Sequence, residues 1–179
     1  MSLKFNKISL LLLLFPLFLW GSFLYFPLTQ KNYWIHPDIA ETLYTGTKLI
    51  GGSLLYVDWL NVNPPAIYQI CELAEILAKV SHLPSIVFYY SFFFMLSFVG
   101  YFLLRKSLES PLFPKASIPF YLLGFIGCII GASFAGPYEF AQREHWFVIC
   151  FIPYCVGRLS NLSGKKYLYI WGILLGFVA

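Results

Sequence analysis

The sequence predicts an all-α protein, a polytopic transmembrane helix bundle with interfacial helices in its first outer loop. Three observations carry that prediction. Hydrophobic residues make up 59% of the 179 and charged residues 11%, against roughly 25% charged in soluble domains. Mean hydropathy is +0.73, and a water-soluble fold of this size has too little interior to hide so much apolar surface. The apolar residues also gather in long segments almost free of charge, and the charges between them sort by side.

The segments follow in order. Residues 8–26 are long enough for a first span, since crossing the hydrocarbon takes about 20 apolar residues. Lys4 and Lys7 precede them. The run exceeds a signal-peptide core and no small-x-small cleavage site follows, so an uncleaved helix is expected. Residues 86–104 form a second span, closed by Arg105 and Lys106. Residues 118–135 form a third, rich in Gly and Ala, which predicts close helix packing. A fourth runs within 138–157, carries Pro153 as a kink, and ends at Arg158. Residues 167–179 begin a fifth and stop before crossing, as expected for the front part of a larger chain. Cys71, Cys128, Cys150 and Cys155 have no metal-ligand spacing and read as small buried hydrophobes.

Residues 27–84 make the outer loop. His36-Pro37-Asp38-Ile39-Ala40-Glu41 reads as a helix start, with Pro early and acids in the first turn. Ile39, Leu43, Thr47 and Ile50 mark one face, and Gly51-Gly52 supply a stop. Asn63-Pro64-Pro65 opens a second helix over residues 66–80. Its Ile67, Ile70, Cys71, Ala74, Leu77 and Ala78 share one side, with Glu72, Glu75 and Lys79 on the other. That helix is too short and too charged to span, so it is expected to lie in the interface.

Charge then orients the chain. With residues 66–80 kept outside, Lys4, Lys7, Arg105, Lys106, Lys115, Arg158, Lys165 and Lys166 share one side, eight of the twelve bases. The positive-inside rule makes that side cytoplasmic. The net charge of +4 is therefore an orientation signal. Basic residues never run longer than two, so no stripe for tracking nucleic-acid phosphates exists. Acids have little say in topology, yet seven of eight, including Asp38, Glu41, Asp58 and Glu144, fall on the outer side. Chemistry is expected to face outward, from the plasma or inner membrane.

Three constellations are candidates for it. Asp38 and Glu41 are three apart and share a helical face; paired carboxylates serve as a general base or bind a divalent cation, and equally they complement a helix dipole. Gln142-Arg143-Glu144-His145 would sit near the outer end of the fourth span, where ionisable side chains are costly and mark function; an interfacial cluster anchored by Trp146 is the plainer reading. Leu55-Tyr56-Val57-Asp58-Trp59 followed by Pro64-Pro65 reads as a turn, a candidate buried carboxylate and a helix start.

These pieces in this order resemble the polytopic C-type glycosyltransferases, which use lipid-linked sugars and include protein O-mannosyltransferases and aminoarabinose transferases. The likeness rests on the early outer Asp38, the Gly-x-x-x-Tyr-x-Asp element from Gly52 to Asp58, and Pro64, Pro65 and Tyr68. It extends to Phe140-Ala141-Gln142-Arg143-Glu144-His145 with Pro153-Tyr154. It spans roughly residues 33–154 through short motifs. The resemblance implies a polyprenyl-phosphate sugar donor and an acceptor on the outer face of the bilayer. Asp38 and Glu144 would be catalytic. Arg143, His145 and Lys48 would meet the donor phosphate, with Asp58, Glu41 and Gln142 as further binding groups. The family often has two adjacent acids where this chain has Asp38-Ile39. Family members are also much longer. The rival from another class is a non-catalytic integral membrane protein, a transporter segment or assembly subunit, although residues 86–104 and 118–135 carry no charge for a transmembrane path.

Overall fold

The computed structural model describes residues 14, 17–18, 20–25, 28–29, 35–58, 65–115, 118–134, 141–160 and 170–173, and only the backbone of 120, 130–134 and 143. Helix accounts for 82% of them, with no strand. Five helices are delimited: α1 (Pro37–Ile50), α2 (Pro65–Ser81), α3 (Ser85–Leu108), α4 (Ile118–Phe134) and α5 (Arg143–Leu159). One helix among the described residues, α3, is long and apolar enough to cross a membrane. At 17 residues each, α4 and α5 are shorter. Parts of the first and last apolar segments, residues 20–25 and 170–173, are helical.

The start of α1 follows from local chemistry. Pro37 occupies the first turn, where its missing N–H is no loss. The His36 imidazole Nδ1 accepts from the Asp38 N–H at 3.2 Å. Lys48 lies in the last turn, and Gly52 leaves the helix at φ 90°. The buried face is Ile39, Thr42, Leu43, Thr45 and Gly46. This corrects the expected face, since Thr47 is exposed and Ile50 half-buried. The reason is Gly46: a Cβ there would lie 2.7 Å from the Cys71 carbonyl carbon, so α1 and α2 meet backbone to backbone. Thr42 and Thr45 can be buried there because their hydroxyls donate back to Ile39 O and Glu41 O.

α2 begins at Pro65 and buries Ala66, Ile67, Tyr68, Cys71 and Ala74. His82, at φ 59°, breaks it sharply, and Pro84 opens α3. α3 runs past the expected residue 104 to Leu108, and Arg105 reaches Glu109 at 3.9 Å. It is the central helix, packed on α2, α4 and α5. From the N-terminal segment, Phe23 meets Tyr90 edge-on at 6.0 Å.

α3 and α5 run parallel. Their first turns meet where Tyr89 packs on Trp146, ring centroids 5.3 Å apart. Their far ends meet where the Ser110 hydroxyl donates to Ser160 O at 3.2 Å. Between them, a Cβ at Gly100 would sit 3.0 Å from Ile149 O and 3.4 Å from the Pro153 ring. Ile149 O is the carbonyl that Pro153, having no N–H, cannot engage. The close approach thus occurs at Gly46 and Gly100. It does not occur at Gly124 and Gly127 of α4, where an added Cβ would meet nothing within 4 Å. Trp171 packs back on α5, donating Nε1–H to Cys150 O at 2.7 Å. Cys71 and Cys150 are buried as expected, whereas Cys155 is half-buried and Cys128 exposed.

Candidate functional site: a two-carboxylate cleft

The site is set by how α5 begins. The sequence reading started this helix near residue 138, but it starts at Arg143. Residues 138–140 lie outside the described residues, and Ala141 supplies the physical reason. At φ 60° Ala141 is left-handed, which a right-handed helix cannot contain and which costs a non-glycine residue roughly 1–2 kcal/mol. Its carbonyl explains why it stays there. The Tyr89 hydroxyl donates to Ala141 O at 2.8 Å and the Trp146 indole N–H donates to the same oxygen at 3.0 Å. The indole N–H also lies 3.0 Å from the Tyr89 oxygen, closing a buried triangle. Phe93 packs edge-on against Trp146 at 5.4 Å. Two hydrogen bonds at about 1 kcal/mol each are enough to offset the strain.

With the triangle in place, Gln142 becomes the N-cap position, and Arg143, Glu144 and His145 form the first turn of α5. Gln142 and Glu144 then line a cleft together with Asp38, Ile39 and Thr42 of α1, Ile67 of α2 and Tyr89 of α3. Its volume is about 70 Å³, below the roughly 300–1,000 Å³ of whole-ligand pockets. It is a notch for one functional group. Both carboxylates are on exposed residues at its mouth. Asp38 Oδ2 also lies 3.5 Å from His36 Nδ1.

The structure thus joins the first and second constellations and leaves the third outside. Asp38, Glu144 and Gln142 line one cleft. Glu41 is exposed on α1 and is not among the lining residues. His145 is half-buried beside the cleft, its N–H bonded to Gln142 O at 3.0 Å. The side chain of Arg143 is outside the described atoms. Lys48 stands at the opposite end of α1, its ammonium 5.0 Å above the Tyr44 ring. Asp58 closes its own turn, Oδ2 accepting from the Leu54 N–H at 2.7 Å while its N–H donates to Leu54 O. Asp58 is thus exposed rather than buried as expected, because its carboxylate is used to close a surface turn, and neither it nor Lys48 is placed in the site.

Thr42 and Tyr89 were missed by sequence reasoning. Thr42 belongs to the face that Gly46 rotates inward, and Tyr89 is one aromatic among many in an apolar run. The Cys71 thiol, bonded to Thr42 behind the cleft, is pushed up to about 12, chiefly by burial, while the Thr42 bond pulls the other way. Among the described residues no group of three or more His, Cys, Asp or Glu side chains assembles. The divalent cation considered from the sequence therefore gains no ligand set beyond two carboxylates. Comparison with family models, curated proteins and solved structures finds no match for this chain.

Proposed function

We propose that this chain belongs to a polytopic membrane glycosyltransferase. It would move a sugar from a polyprenyl-phosphate donor to an acceptor at the outer face of the bilayer. The observation that carries the reading is the meeting of Asp38 and Glu144 in one cleft, although about a hundred residues separate them in sequence. The same two acids carry the motif likeness.

The placement of charge supports the polytopic part. The cleft lies at the first turns of α3 and α5, while Arg105, Lys106 and Arg158 occupy their last turns. From Ser85 to Arg105 the helix rises roughly 30 Å at 1.5 Å per residue, about the hydrocarbon thickness. Parallel α3 and α5 require α4 to return between them, as alternating passes would. The basic end faces the cytoplasm by the positive-inside rule, which puts the N-terminus inside and the carboxylates outside.

In this reading Asp38 takes the proton of the acceptor group as it attacks the anomeric carbon. The glycosidic C–O bond to phosphate breaks as the new bond forms, inverting the centre and releasing polyprenyl phosphate. Glu144 and Gln142 hold the acceptor in the notch. The resemblance gives the donor phosphate to Arg143 and His145, and their place in the first turn of α5 adds the positive end of that helix. The narrow notch suits an acceptor hydroxyl or amine, with the donor lying over its mouth.

The test is release of polyprenyl phosphate from a polyprenyl-phosphate sugar by the full-length protein in membrane vesicles, with and without a chelator. Asp38→Asn is expected to lower the rate about 10²-fold or more, the usual worth of a general base, with membrane insertion unchanged. Turnover at the wild-type rate by that variant removes the role given to Asp38. A correctly inserted wild type that turns over no lipid-linked sugar favours the non-catalytic membrane protein.

A further inference from the structure

α2 carries apolar residues on two opposite faces, only one of which the fold uses. Ile67, Cys71 and Ala74 are buried toward the core. On the other side Leu73, Ile76 and Val80 are 47%, 42% and 76% exposed. Their spacing of three and four residues makes one continuous stripe. A surface helix normally puts polar residues there. We infer that this stripe is a lipid-contact face, by which the C-terminal half of α2 seats in the headgroup–acyl boundary of the outer leaflet.

Chain connectivity selects the occupant. His82, Leu83 and Pro84 alone separate α2 from α3, the helix long enough to span. The left-handed turn at His82 keeps the connection tight. The last turn of α2 is thereby held at the depth where α3 enters the hydrocarbon. The apolar stripe also continues in kind on α3, where Met95, Val99 and Phe102 are 58%, 44% and 44% exposed at spacings of four and three. Lys79, exposed beside Val80, suits lipid phosphate at the same level, as flanking cations do on interfacial helices. A face that grips the boundary would hold α1, packed on α2 through Gly46, and with it Asp38, at a constant height above the bilayer.

Spin labels on the full chain test this. Ile76→Cys, Val80→Cys and Lys79→Cys are made with Cys128 and Cys155 replaced by Ser, and reconstituted in phosphatidylethanolamine–phosphatidylglycerol vesicles. Nitroxides at 76 and 80 are expected to collide with oxygen more than with a water-soluble nickel chelate, and the order is expected to reverse at 79. Because both stripe positions are exposed, either one reports if the other variant fails to insert. Nickel-dominated collisions at 76 and 80 overturn the inference. So does spin–spin broadening that persists at high lipid dilution, which would assign the stripe to a second copy of the chain. The readout does not depend on turnover. An inactive protein with lipid-shielded labels defeats the transferase reading alone.

Discussion

Gly46→Ala probes the contact that sets the height and angle of α1. An added Cβ would stand 2.7 Å from the Cys71 carbonyl carbon, 2.8 Å from the Glu72 amide nitrogen and 3.0 Å from Cys71 Cβ. Non-bonded heavy atoms rest at about 3.5–4.0 Å, so the helices must part by something on the order of 1 Å. Two of the three neighbours are backbone atoms, and no rotamer change relieves them. Overpacking of this kind costs about 1–3 kcal/mol. Against it, Ala in a helix interior is better than Gly by about 0.8–1.0 kcal/mol. The clash is the larger effect, leaving a net destabilisation of about 1 kcal/mol. Thermal unfolding of the full chain followed by circular dichroism should show a fall in Tm of about 2–4 °C. On the proposed transferase reading, activity should fall as well, because Asp38 rides on the helix that moves. A Tm above wild type would mean that propensity outweighs the contact and that α1 and α2 separate without cost, which refutes the packing argument.

Two further outcomes follow from the site. In Tyr89→Phe, Ala141 O and the Trp146 N–H still pair at 3.0 Å, so no buried group is orphaned. The loss should be about 1 kcal/mol in denaturant unfolding, with a changed tryptophan signal from Trp146. A loss above roughly 3 kcal/mol, the scale of an orphaned buried group, would show that the triangle is misread. For Cys71, burial raises the thiol from 9.0 to about 12. A raised folded-state value contributes stability that is complete below about pH 9 and is lost as pH rises toward 12. Tm should therefore fall across that window in wild type and fall less in Cys71→Ala; equal slopes in the two proteins would contradict the assignment.

Helices were the most legible feature. α1 was readable because its boundaries are local chemistry: Pro37 early, acids in the first turn, Gly51-Gly52 at the end. α3 was readable because an uncharged apolar run of its length has few alternatives. The start of α5 was not readable, because it depends on Ala141 adopting a left-handed conformation that only Tyr89 and Trp146 justify. The packing glycines were misassigned for a similar reason. Composition marks α4 as rich in Gly, yet whether a glycine is pressed against a neighbour depends on where that neighbour lies.

The candidate site divides in the same way. Asp38 and Glu144 could be singled out by a motif likeness, which is written along the chain. That they face one cleft, while Lys48 and Asp58 stay away, could not. It requires α1 to lie on α2 through Gly46 and α5 to run parallel to α3 through Gly100. The sequence by itself determined an apolar, helical chain, because hydropathy and its periodicity are properties of the residues along one segment. Only the tertiary structure decided which acids meet, because a meeting across about a hundred residues depends on close contacts between helices rather than on any pattern within one.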